Sequence, residues 1–326
     1  MRTMIPFTKM VGAGNDFIIV DARSRRLASL KGRWRTLGRE LCDRRGGIGA
    51  DGLLVLEPSK AADVLMRVLN PDGSEAEMCG NGARCVALYL GRPQTTDHRR
   101  QTGTVRIETK AGVLSARVWG DRVALQMTDP TGLRLDVRVP VDGRRVRLGC
   151  VNTGVPHVVM PVSQLGRVDV ERLGRRLRHH PQFAPRGTNV NFIQPAGTHR
   201  LRVRTYERGV EAETLACGTG ITASAIVSAL SRTQGSRRIG GNRTAYHVDV
   251  EARSGDSLTV SFDATRNGAG WRVRRVVLEG PARRICEGTV QWPHHLSPRL
   301  TRPRRGRGAA LRAARQVVGW PLKGTR

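Results

Sequence analysis

Two stretches decide how this sequence folds: Glu75-Ala-Glu-Met-Cys79-Gly-Asn-Gly82 and Glu213-Thr-Leu-Ala-Cys217-Gly-Thr-Gly220. Each places Glu four residues before Cys, and each closes on Cys-Gly-x-Gly. The first runs into Ala83-Arg-Cys-Val-Ala-Leu-Tyr-Leu90 and the second into Ile221-Thr-Ala-Ser-Ala-Ile-Val-Ser-Ala-Leu230. Both continuations are apolar on most faces, which predicts buried helices. The cysteines stand 138 residues apart, so the chain contains one motif twice.

The flanks repeat as well. Val105-Arg-Ile-Glu-Thr-Lys-Ala-Gly112 parallels Val248-Asp-Val-Glu-Ala-Arg-Ser-Gly255. Each is an alternating strand ended by a glycine turn and followed by another alternating strand, Leu114–Val118 or Leu258–Phe262. Further strands are expected over Arg122–Met127 and Trp271–Glu279, and at Phe17–Val20, Leu65–Leu69, Val158–Met160 and Leu201–Tyr206. A polar helix is expected over Trp34–Arg44. The pattern predicts an α+β chain of two similar β-rich domains, each wrapped round a helix whose N-terminus carries a cysteine. The first domain spans 1–125 and is completed by a returning strand near 279–290, and the second spans 126–278. The strand pattern fades past Glu287, and 293–326 reads as a basic, disordered tail. A short basic amphipathic helix at Ala309–Val318 is the alternative there.

Composition narrows the function. The chain has 326 residues, enough for two domains with real cores. No apolar run reaches the ~20 residues of a membrane span, and Met1–Lys9 lacks the apolar core of a secretory signal. A cytoplasmic protein is expected. The net charge of +29 suggests a phosphate-rich partner. Yet 51 of the 56 basic residues are Arg, whereas Lys neutralises phosphate equally well. Aromatic residues for base stacking make up only 4%. A nucleic-acid-binding role is therefore ranked last. None of the six cysteines forms a CxxC pair, which argues against a disulfide framework and a structural zinc site. Taken singly, each reads as a small buried apolar residue.

The duplication changes that reading for Cys79 and Cys217. A cysteine at a helix N-terminus sees unpaired N–H groups and the positive end of the helix dipole. Both favour thiolate, so a lowered thiol pKa is expected. The same N–H groups make a carboxylate site. The glycines at 80, 82, 218 and 220 let backbone approach a ligand. Two such loops related by a pseudo-twofold axis face each other across a cleft. That geometry suits inversion at carbon, in which one face loses a proton to a thiolate and the other gains one from a thiol.

The motifs together resemble the diaminopimelate epimerase family: Gly12-Ala-Gly-Asn-Asp-Phe17, Arg45-Gly-Gly-Ile-Gly-Ala-Asp51, Asn70-Pro-Asp-Gly-Ser74, Glu77-Met-Cys-Gly-Asn-Gly-Ala-Arg84, Val155-Pro-His157, Thr188-Asn-Val-Asn-Phe192, Tyr206-Glu-Arg-Gly209, Ala216-Cys-Gly-Thr-Gly220 and Gly280-Pro-Ala282. The resemblance runs to about Gly288. It implies two pseudo-symmetric domains, each a β-barrel-like sheet around a central helix. It implies a metal-free, cofactor-free interconversion of LL- and meso-2,6-diaminopimelate in lysine and peptidoglycan precursor synthesis, carried out by a homodimer. Cys79 and Cys217 match the acid–base pair, and His157 and Glu207 match groups that tune the thiols. Gly80, Asn81, Gly218 and Thr219 match the loops that bind the reacting carboxylate. Asn15, Asn70, Asn189, Glu207 and Arg208 match residues that grip the distal amino-acid end.

Two positions depart from the pattern. Val155 stands where the family usually carries Asn, and Gly52 where some members carry Gln. Each residue also has a plainer reading: Asn70 before Pro71 as a turn residue, His157 after Pro156 as a satisfied turn histidine, Glu207 and Arg208 as a surface pair. The alternative functions are a proline, hydroxyproline or histidine racemase on the same fold, and a basic protein whose paired loops hold anions without turnover.

Overall fold

The structure, a computed structural model, describes residues 3–91, 102–232, 236–240, 243–268 and 270–293. The expected tail helix and almost all of the basic tail lie outside the described residues. The first lobe contains β1 (Thr3–Gly12), β2 (Asn15–Asp21), α1 (Trp34–Cys42), β3 (Gly52–Glu57), β4 (Val64–Leu69), β5 (Glu75–Ala76), α2 (Gly80–Leu90), β6 (Thr102–Thr109), β7 (Gly112–Trp119) and β8 (Arg122–Gln126). The second contains β9 (Thr131–Val141), β10 (Arg144–Asn152), β11 (Pro156–Pro161), α3 (Val170–Arg178), β12 (Asn189–Pro195), β13 (Arg200–Glu207), β14 (Ala212–Thr214), α4 (Gly218–Arg232), β15 (Ser236–Gly240), β16 (Arg243–Glu251), β17 (Ser257–Asn267) and β18 (Gly270–Pro281). The last strand, β19 (Arg283–Trp292), returns to pair with β1.

The two lobes repeat one pairing scheme. In the first, β1–β2 is antiparallel, β2–β3 parallel, β3–β4 antiparallel, β4–β6 parallel, and β6–β7 and β7–β8 antiparallel. In the second, β9–β10 and β10–β11 are antiparallel, β11–β12 parallel, β12–β13 antiparallel, β13–β16 parallel, and β16–β17 and β17–β18 antiparallel. Helix α2 touches β1, β2, β4, β6, β7, β8 and β19, so the first sheet curls round it. Helix α4 touches β9, β10, β11, β12, β13, β16 and β17 in the same manner. The lobes join where β8 pairs with β18, and there Leu125 stands directly opposite Leu278.

The burial pattern explains the layering. Leu53, Leu54, Val55 and Leu56 of β3 are all fully buried. An unbroken apolar run of that kind marks a strand covered on both faces. Leu54 and Leu56 join α2's core, while Leu53 and Val55 join the cluster under α1 with Trp34, Leu37 and Leu41. The second lobe repeats this with α3, whose Val170 and Leu177 pack beside Phe192 and Tyr206.

Three expectations need correction. Both central helices start earlier than their apolar runs, at Gly80 and Gly218. For α2 the reason is that Cys79 is itself the N-cap, its sulfur accepting the Gly82 N–H. The strand pattern does not fade past Glu287, because β19 continues to Trp292. Trp292 is buried, and its indole N–H donates to Glu40 Oε2 at 2.6 Å. Helix α3 was not expected, although its signals are present: Asp169 caps it by accepting the Arg172 N–H, and Val170, Leu173 and Leu177 keep helical spacing.

Candidate active site

The repeat places both cysteines at the lobe junction. Gly80 opens α2 facing Leu125 of β8, and Gly218 opens α4 facing Leu278 of β18. Leu125 and Leu278 are register partners, so the two helix starts flank one seam. A Cβ at Gly220 would sit 2.4 Å from Asn191 Oδ1, which restricts that position to glycine. A Cβ at Gly80 would touch nothing nearer than 4.0 Å, which leaves that backbone open to a ligand.

Cys217 is buried and Cys79 half-buried. The expected fall in thiol pKa is not what the geometry produces. Burial pushes Cys217 up to about 12, and the Glu207 and Cys79 charges push the same way. The Thr219 hydroxyl and Gly220 N–H oppose this and lose. Cys79 is also raised, by burial first, against the Gly82 N–H and the Arg84 charge. Removing water from a thiolate outweighs the donors of one helix end. Glu207 acts on both thiols, and its own carboxyl is raised by burial.

A directed hydrogen-bond relay ends on Cys217. Asn191 Nδ2 faces Val158 O at 2.9 Å, an acceptor only, so its amide orientation is set. The same Nδ2 lies 3.1 Å from His157 Nδ1, which must then accept. In the neutral ring Nε2 carries the proton and donates to Thr219 Oγ1 at 3.0 Å. That leaves the Thr219 hydrogen for Cys217 Sγ, 3.4 Å away. Thr205 completes the relay by donating to Asn191 Oδ1 at 3.0 Å.

His157 is fully buried, and burial with the Arg208 charge lowers it to about 3. In the unfolded chain it titrates near its ordinary 6.5. Between those values the unfolded state binds a proton that the folded state refuses, so stability rises with pH. Urea unfolding is therefore expected to lose up to about 1.4 kcal/mol per pH unit through this group on acidification from pH 6 to 4. A His157→Gln variant is expected to lose that component. An unchanged slope in the variant would show that the ring charges freely in the fold.

The other expected residues divide into three groups. Asn81, Asn15 and Asp51 form a chain: Asn81 Nδ2 donates to Asn15 Oδ1 at 2.6 Å, and Asn15 Nδ2 donates to Asp51 Oδ2 at 3.0 Å. Asn189 donates to Pro156 O and accepts the Arg208 N–H at 2.8 Å, which ties β12 to the Glu207-Arg208 corner. Asn70 is held within its own turn, its amide donating to Ser74 Oγ at 2.9 Å. Gly14 joins the lobes directly, because a Cβ there would lie 2.6 Å from Ser254 Cβ.

Asn191, Thr205, Asp51 and Arg84 were missed as site residues. Asn191 was within reach of the sequence: it follows Asn189 by two on a strand, so both amides share a face. Thr205 carried no such signal, because its place opposite Asn191 is a matter of register. No group of three or more His, Cys, Asp or Glu side chains suited to a metal occurs among the described residues.

The chain is similar to known proteins over most of its length. A family model for diaminopimelate epimerase matches residues 7–132 and 149–270. A diaminopimelate epimerase of Aquifex aeolicus (strain VF5) is 41% identical over 292 residues, covering 87% of this chain and 97% of that protein. One of Archaeoglobus fulgidus is 41% identical over 299 residues, covering 88% and 96%. Among solved structures, a probable proline racemase from Agrobacterium radiobacter K84 superposes with a TM-score of 0.63 at 18% identity, covering 90% of this chain and 94% of that one. A hydroxyproline epimerase from Agrobacterium vitis gives 0.60 at 20% identity, covering 88% and 91%. At those identities the two structures speak for the fold alone.

Proposed function

The chain belongs to the diaminopimelate epimerase family, and from that premise we propose that it interconverts LL- and meso-2,6-diaminopimelate with Cys79 and Cys217 as its acid–base pair. The observation that carries this is the placement of the two thiols at paired helix starts across one seam, within reach of the same Glu207 charge. One thiolate takes the α-proton, and the opposite thiol returns one to the other face. A raised thiol pKa makes a stronger base once the proton has left, which suits a weakly acidic carbon. The α2 and α4 N-termini hold the reacting carboxylate and stabilise the charge that develops on it. Gly80, Asn81, Gly218 and Thr219 supply those loops. Thr219 has a second task, because its hydroxyl is already directed at Cys217 Sγ.

At the distal end Asn15, Asn70, Asn189, Glu207 and Arg208 are assigned to the second amino-acid group. Arg208 is the anchor, because a planar fork matches a carboxylate in a way an ammonium does not. Its guanidinium makes no ion pair with an acid among the described residues. Arg208→Lys is expected to raise KM about tenfold with a smaller change in kcat. An unchanged KM would remove Arg208 from the substrate site.

Solvent deuterium wash-in tests the whole reading: label is expected at the α-carbon of diaminopimelate and absent from proline, hydroxyproline and histidine. Label entering one of those instead would reassign the substrate. No helix among the described residues is long and apolar enough to cross a membrane. All six cysteines are free thiols, which supports a reducing cytoplasmic setting. Assembly as a homodimer rests on the family resemblance and is read directly by sedimentation.

A further inference from the structure

Arg84 is buried to 0% exposure, yet among the described residues it makes a single side-chain hydrogen bond, from Nη2 to Asn81 Oδ1 at 2.8 Å. Its Nε and Nη1 have no hydrogen-bond partner among the described residues. A buried guanidinium so sparsely bonded is costly to keep, so its one bond invites a functional reading.

That bond has a direction. Arg is a donor only, so the Asn81 atom facing it must be oxygen. Asn81 Nδ2 then faces Asn15 Oδ1 at 2.6 Å and the backbone carbonyl of Ala216 at 3.2 Å. Ala216 O is an acceptor only, and it immediately precedes Cys217. Beyond Asn15 the chain ends on Asp51, an acceptor-only carboxylate, so its polarity is set from both ends. Gly280 leaves room for the guanidinium, since a Cβ there would lie 3.3 Å from Arg84 Nε.

The second copy of the motif lacks this device. Thr219 occupies the place of Asn81, and Thr222 the place of Arg84. Thr219 turns to its own Cys217, and Thr222 donates to Gly218 O at 2.9 Å within its own helix. The strap between the loops is therefore one-sided: it starts in the first lobe and holds the second.

We propose that Arg84 is a positioning residue: its guanidinium sets the Asn81 amide, and through Asn81 it keeps the Cys217 loop in register with Cys79. The consequence for turnover rests on the epimerase reading above, but the strap itself does not. In-line proton transfer tolerates little error, and a misplacement of about 1 Å costs on the order of 100-fold.

The test is a double-mutant cycle of Arg84→Met and Asn81→Ala with two readouts. The first is alkylation of Cys217 by iodoacetamide in the substrate-free enzyme, followed by peptide mapping. Loss of one buried hydrogen bond is expected to speed labelling about tenfold in each single variant. The double variant should go no faster than either, because both changes break the same strap. The second readout is α-proton exchange of diaminopimelate, where Arg84→Met is expected to lower kcat and leave KM within about twofold, and the double variant to lose no more than Asn81→Ala alone. Should Arg84→Met fail to fold, Arg84→Lys runs the same cycle, since it keeps charge and stem and loses the fork. Additive effects on labelling, or Cys217 labelling unmoved by either Arg84 variant, would overturn the proposal. A wild-type enzyme that exchanges no diaminopimelate proton defeats the functional reading, while the labelling cycle still decides the strap.

Discussion

Cys217→Ala is expected to lose epimerisation by roughly 10,000-fold, and Cys79→Ala to do the same. In the proposed mechanism each thiol serves one face of the substrate carbon, so neither can stand in for the other. The loops that carry them occur only at these two positions in the sequence. Cys286 is exposed on β19, and its replacement by Ser is expected to leave turnover unchanged. Cys42, Cys85 and Cys150 are buried, and their variants are expected to stay active where they fold. The measurement is conversion of LL- to meso-diaminopimelate by each purified variant. Full activity in Cys217→Ala would end the two-base mechanism.

The second large effect is on thiol reactivity. Because burial raises both paired thiols, with Cys217 near 12, the thiolate fraction of the free enzyme is small at neutral pH. Below its pKa a thiol gains about tenfold in thiolate for each pH unit. Alkylation of Cys217 by iodoacetamide, followed by peptide mapping, is therefore expected to accelerate about a thousandfold from pH 7 to pH 10, with no plateau. A plateau near pH 8 would show that the helix N-termini outweigh burial after all. Mild oxidation is expected to follow the same profile, since thiolate is the attacking species. It should join Cys79 to Cys217, be reversed by reductant and be blocked by substrate. Inactivation without a crosslinked 79–217 peptide would contradict the facing-thiol geometry.

The raised thiol pKa is not written in the local sequence. The helix-dipole argument for a low thiol pKa is sound for an exposed helix end. It fails here because Cys217 lies at 7% exposure. Desolvation depends on everything around the sulfur, most of it far away in sequence.

What the sequence determined by itself is whatever is written in short, repeated stretches. The two Cys-Gly-x-Gly loops, the apolar helices after them and the alternating strands are local patterns, and pattern is the main determinant of local structure. The duplication carried more, since two equal motifs imply a pseudo-twofold axis and hence two groups facing one cleft. Tertiary structure alone decided the rest. Which strand partners which, the opposition of Leu125 to Leu278 and the return of β19 as far as Trp292 are choices of register. The polarity of the Asn191–His157–Thr219–Cys217 relay and of the Arg84–Asn81–Ala216 strap belongs here too. A hydrogen bond is set by the atoms on both sides of it, and in these chains the two sides come from segments that meet only once the sheets have wrapped around their helices.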